Sequence, residues 1–94
     1  MENKILGMLG LARRAGKVTL GFENVQKLKK CCLVLIAADA AERTVRHTKE
    51  LGLETICLDS TKNVLGKALG AGQVSVLGVT DPGFADAIRK LSEY

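Results

Sequence analysis

Ninety-four residues, 47% of them apolar, are enough for one core and too few for a cofactor domain beside a substrate domain. Aromatic residues make up only 3% of the chain, which disfavours a base-stacking platform. Fourteen Lys and Arg against ten Asp and Glu leave a net charge of +4, which suits an anionic partner, nucleic acid ahead of a membrane surface.

Ile5, Met8, Leu9 and Ala12 recur at helical spacing and predict a first helix from residue 3 to about 15, with Gly16 closing it behind Arg13 and Arg14. The start Met1, Glu2, Asn3, Lys4 lacks the apolar region of a secretory signal. No apolar run approaches the roughly 20 residues of a spanning helix, so a cytoplasmic protein without membrane contact is expected. Lys17, Val18 and Thr19 form a short candidate strand. Gly21 then opens a second helix, expected to run to about Lys30. A helix start leaves several backbone N–H groups unpaired and carries partial positive charge, which favours phosphate or electron-rich base edges. Glycine there lets a ligand approach the backbone closely. Helical spacing puts Glu23, Lys27 and Lys30 on one stripe with Asn24 beside it, while Phe22, Val25 and Leu28 turn inward. The same residues also suit an ordinary solvated helix, in which Glu23 and Lys27 form an i, i+4 pair worth about 0.2–0.5 kcal/mol.

Of the three cysteines, the adjacent Cys31 and Cys32 cannot bridge without distorting the chain, and Cys32 and Cys57 are expected to act as small buried hydrophobes. The continuously apolar run from Cys32 to Ala37 reads as a central strand covered on both faces. Asp39 leads to a third helix at about 41–51, with a thin apolar stripe of Ala41, Val45 and Thr48. The single histidine, His47, sits among Arg46, Thr48, Lys49 and Glu50 on what reads as a solvated face, with no paired nucleophile and no metal-ligand spacing. Neither an enzyme nor a metal site is expected. Gly52 precedes a strand from Leu53 to Leu58. Ser60 is placed to cap a fourth helix at about 61–69, whose Val64, Leu65, Ala68 and Leu69 turn inward before Gly70. Gly66 and Lys67 do not make a phosphate loop, since Thr61 and Ala68 stand where Gly and Ser or Thr are required. That glycine is read as permitting close packing on the sheet. Gly70 and Gly72 without a third glycine at Ser75 imply no dinucleotide cofactor. A strand from Val74 to Val79 precedes Asp81 and Pro82, a capping carboxylate and a first-turn proline, and Phe84, Ile88 and Leu91 give the last helix its buried stripe. The alternating order predicts one α/β domain over residues 1–94, a three-layer α-β-α sandwich around a four-stranded mixed, mostly parallel sheet.

Several of these features occur together in order. The Gly21 helix entrance with Lys27, the Leu33 to Ala38 strand running into Asp39, and the stretch Leu65, Gly66, Lys67, Ala68, Leu69, Gly70 resemble the kink-turn RNA-binding ribosomal protein superfamily over nearly the full chain. The opening Leu9 to Lys17 and the late Val79 to Ala85 look like its bacterial YlxQ-type branch. In that superfamily a Gly-x-Asn-Glu helix start enters the RNA major groove at tandem sheared G·A pairs. The resemblance implies that Gly21, Glu23 and Asn24 read bases, that Lys27 and Lys17 meet phosphates, and that the loop Ala71, Gly72, Gln73, Val74 packs against a flipped-out nucleotide. This chain has Glu23 before Asn24 where the family has Asn before Glu, a swap that rotates each group by about 100° around the helix axis. The function implied is non-enzymatic binding of a kink-turn or similar bent RNA, in a ribosomal or translational setting, by a monomer without cofactors. The alternative is a protein-interaction module that kept the fold with weakened RNA readout, working through the charged third helix or the apolar first one.

Overall fold

The computed structural model describes residues 2–93. Helix α1 (Glu2–Arg14) buries Ile5, Leu9 and Ala12, the predicted stripe, and Lys17 N–H returns to Ala12 O at 2.9 Å across Gly16. Leu6 and Met8 also pack on the core, because α1 lies against both of the later helices α4 (Lys62–Leu69) and α5 (Pro82–Ser92). Its broad apolar surface is therefore mostly covered, and Leu11 remains outside at 54% exposure. Strand β1 (Val18–Leu20) leads into α2 (Phe22–Gln26), which is shorter than expected. After Gln26 the bonds tighten to Lys27 N–H on Asn24 O and Leu28 N–H on Val25 O, and the chain turns back toward β2 (Leu33–Ile36). Lys30 thus lies beyond the helix and does not share a stripe with Glu23 and Lys27.

Helix α3 (Glu42–Lys49) and strand β3 (Thr55–Cys57) follow, then α4, β4 (Val76–Val79) and α5. Thr61, not Ser60, caps α4 by accepting from Val64 N–H at 3.3 Å. Ser60 is drawn away by Glu2, whose Oε1 accepts from the Ser60 hydroxyl at 2.7 Å and from its N–H at 3.1 Å. Val64, expected to turn inward, stays 45% exposed, because α4 turns the face of Leu65 and Leu69 to the core. Asp81 caps α5 as expected, accepting from Phe84 N–H at 3.0 Å.

The sheet order is β1-β4-β2-β3, with β4 antiparallel to both β1 and β2 and only β2 and β3 parallel. The expected mostly parallel sheet is thereby corrected: it is mixed and mostly antiparallel, because β4 enters between β1 and β2 and not at an edge. Alternation along β2 and β4 supplies two apolar clusters. Leu33, Leu35, Leu77 and Val79 meet α1, α4 and α5. Val34, Ile36 and Val76 meet Val25 of α2 and the half-buried Val45 and Leu51. Gly78 on this second face lets α2 settle close, since a Cβ there would stand 3.0 Å from Cys31 Sγ and 3.3 Å from Val25 Cγ2. Arg89 of α5 ties the sheet together from outside: its Nε donates to both Glu54 carboxylate oxygens at 2.8 Å and its Nη2 to Cys32 O at 2.7 Å.

The cysteines divide differently from expectation. Cys57 is exposed, because β3 is an edge strand, whereas Cys31 and Cys32 are half-buried. Burial pushes the Cys31 thiol up. The thiolate is the reactive species, so with limiting iodoacetamide the exposed Cys57 is expected to be carboxamidomethylated first and Cys31 more slowly. Peptide mass mapping over time reads the order, and equal rates would contradict the packing described.

Candidate nucleic-acid interface

The end of β1 sets the entrance of α2. Leu20 pairs with Leu77, and Gly21 N–H donates to Val76 O at 2.8 Å, which anchors the backbone just before the helix turns away. Gly21 has φ 89° and ψ 144°, a region that glycine alone adopts without strain. Its carbonyl accepts the first helical bond, from Val25 N–H at 3.0 Å. The N–H groups of Phe22, Glu23 and Asn24 have no partner among the described residues. Val25 is 1% exposed and Phe22 and Leu28 are half-buried, so the inward side is the expected one. Glu23, Asn24 and Lys27 are exposed, and among the described residues neither Glu23 nor Lys27 takes part in an ion pair. Asn24 Nδ2 donates to Leu20 O at 2.9 Å, which leaves Oδ1 and the second amide hydrogen for a partner.

The segment after α4 is held by a series of short contacts. Gly70 ends the helix in the left-handed region at φ 69°, and Ala71 N–H returns to Gly66 O at 2.8 Å. Gln73 Nε2 donates to Asn63 Oδ1 at 2.9 Å, and Val74 N–H to Lys62 O at 3.2 Å. Gly66 proves to matter for this segment and not for packing on the sheet: a Cβ there would fall 1.4 Å from Gly72 O and 2.6 Å from Gly72 C. Gly72 and Gln73 are exposed, whereas Val74 is only 5% exposed and belongs mainly to the core.

These two segments, remote in sequence, meet. Gly21 and Phe22 on one side and Ala71, Gln73 and Val74 on the other line one open cleft of about 400 Å³, with Thr44 and Ser75 completing it. Gly72 backs onto Gly66 beside it, and Glu23, Asn24 and Lys27 stand on the exposed face of the helix that begins at its rim. Lys17 is exposed at the opposite end of β1, roughly 13 Å from Gly21 by strand rise. Sequence reasoning did not find Thr44 or Ser75, which carry no motif. It also placed His47 in solvent, but that ring is half-buried, with its centroid 6.2 Å from that of Phe22, because α3 packs beside the α2 entrance. The burial of Thr48, whose hydroxyl is satisfied by Thr44 O at 2.7 Å, turns this side of α3 inward.

Among the described residues no group of three or more His, Cys, Asp and Glu side chains is placed to hold a metal, and no helix is long and apolar enough to cross a membrane. The arrangement offers a glycine-lined concavity, an amide, a carboxylate and an ammonium.

No known family model matches the chain. It is similar to the RNA-binding protein YlxQ of Enterococcus faecium, 29% identical over 97 aligned positions that take in 98% of this chain and 94% of that one. Among solved structures it resembles a protein of unknown function from Bacillus halodurans C, with a TM-score of 0.87 and 28% identity over 97% of this chain and 98% of the other. The Giardia lamblia 15.5kD RNA binding protein shares the fold, with a TM-score of 0.77 and 20% identity over 97% of this chain and 83% of the other.

Proposed function

We propose that this chain is a non-enzymatic RNA-binding protein that holds a kink-turn or a similarly bent internal loop with sheared G·A pairs, acting as a cytoplasmic monomer in a ribosomal or translational setting. The observation that carries this reading is the shared cleft of Gly21 with Ala71, Gln73 and Val74, next to the exposed Glu23 and Asn24. Similarity along nearly its whole length to an RNA-binding protein supports it.

A guanine edge presents O6 and N7 acceptors, which the free Asn24 amide hydrogen and the unpartnered N–H groups of the first turn suit, and the Glu23 carboxylate accepts from exposed amino groups. A sharp bend crowds phosphates, so Lys27 and Lys17 favour the bent form by relieving repulsion, and binding selects or induces the kink. The loop at residues 71–74 supplies a second wall for an unstacked nucleotide, chiefly through backbone and the small Ala71, since Val74 is mostly covered.

The test is a titration of a standard kink-turn RNA against the same RNA with its sheared pairs replaced by Watson-Crick pairs. The wild type is expected to prefer the kink-turn, with a log-log salt slope of roughly −3 to −5. Glu23→Ala and Asn24→Ala are each expected to lose about 1–3 kcal/mol of that preference, whereas Lys27→Ala should weaken both RNAs alike and reduce the slope by about 1. Equal affinity of the wild type for both RNAs would end the base-reading interpretation.

A further inference from the structure

Helices α1 and α4 run side by side in the same direction. Their starts are joined by Glu2 and Ser60, and near their ends a Cβ on Gly10 would stand 3.1 Å from Ala68 O. That close approach brings the cations of the two last turns, Arg13, Arg14 and Lys67, around one cleft of about 300 Å³. All three side chains are exposed, and among the described residues none takes part in an ion pair. Two helix C-termini carry roughly −0.5 each, so three cations overcompensate them and leave a net charge of about +2. The cleft is separate from the site described above but adjoins it along the chain: Gly70 lines this one and Ala71, the next residue, lines the other.

We infer that Arg13, Arg14 and Lys67 form a second RNA-contacting site that takes backbone phosphates of a stem flanking the bent motif. The inference rests on the proposed RNA binding and extends its footprint from the Gly21 cleft across Gly70 to the far side of α4. Guanidinium pairs suit phosphate oxygens bidentately, and a contact of this kind carries no sequence information. It gives affinity and orientation, while discrimination stays with α2.

The experiment measures salt-dependent binding of the wild type and of the triple variant Arg13→Gln, Arg14→Gln, Lys67→Gln to a kink-turn RNA with an extended flanking stem and to the same RNA trimmed to the motif. The variant is expected to show a slope shallower by about 2–3 on the extended RNA, at roughly 0.7–0.9 per lost contact, and an unchanged slope on the trimmed one. Unchanged slopes on both RNAs, with only a lower melting temperature, would overturn the inference and leave the cations as partners of the helix ends. Sedimentation with phosphatidylserine vesicles that the variant loses, again with RNA slopes unchanged, would overturn it in favour of a lipid surface. Failure of the base-reading proposal is a separate result, a wild type that treats kink-turn and Watson-Crick RNA alike. The slope difference on the extended stem still decides the second site in that case.

Discussion

Gly66→Ala is expected to lower stability by about 1–3 kcal/mol and to abolish the proposed preference for bent RNA, although the substituted position lies outside the cleft. The added methyl would sit 1.4 Å from Gly72 O, a backbone atom that cannot rotate away as a side chain would. The segment at residues 71–74 must therefore lift from α4, breaking the Ala71 N–H bond to Gly66 O and misplacing the second wall of the cleft. Gly7→Ala is the matching control: Gly7 is an exposed position inside α1 with nothing within 4 Å of a built Cβ, so there the change should stabilise by about 0.5–1 kcal/mol. Urea unfolding of both variants and a kink-turn titration of Gly66→Ala read the two effects. Wild-type stability and RNA preference in Gly66→Ala would show that Gly72 does not pack on α4 in solution.

Gly21→Ala is expected to cost about 1–3 kcal/mol for the opposite reason. Nothing stands within 4 Å of a Cβ there, so no contact is violated, but φ 89° is a conformation that an L-residue adopts only under strain. The cost should be nearly independent of side-chain size, equal for Ala and Ser, whereas at Gly66 a larger side chain is expected to cost more. Relief of the strain turns the start of α2 and moves Glu23 and Asn24, so RNA preference is expected to fall along with stability. Urea midpoints for Gly21→Ala and Gly21→Ser, set against Gly66→Ala, separate strain from collision. An unchanged midpoint in Gly21→Ala would show that the left-handed entrance is not kept.

Local chemistry made much of the molecule legible. Asp81 followed by Pro82, the apolar spacing of α1 and the buried run of β2 each announce one element whatever surrounds it, and all three stand where expected. Strand direction was not legible, because a strand covered on both faces is continuously apolar in either orientation, and the alternation of helices and strands does not say that β4 enters the middle of the sheet. The Ser60 cap failed through a long-range competitor, Glu2. The early end of α2 followed from the need to bring the chain back to Val79 O, which accepts from Cys32 N–H at 2.9 Å. At the candidate site the outward set Glu23, Asn24 and Lys27 was readable from helical spacing. The neighbours supplied by α3 were not, since Thr44 and His47 reach the α2 entrance only through tertiary packing.

The interior place of β4 also governs when the molecule can exist during synthesis. β1 touches the rest of the sheet only through β4, which is translated after all three other strands, so a nascent polypeptide stopped before Val76 holds its first strand without a mate. The concavity that joins Gly21 to residues 71–76 closes at the same moment, because the carbonyl that fixes Gly21 belongs to Val76 itself. Closure of that concavity and completion of the hydrogen-bonded ladder are thus one event, and a ribosome-bound fragment that lacks the fourth strand has neither.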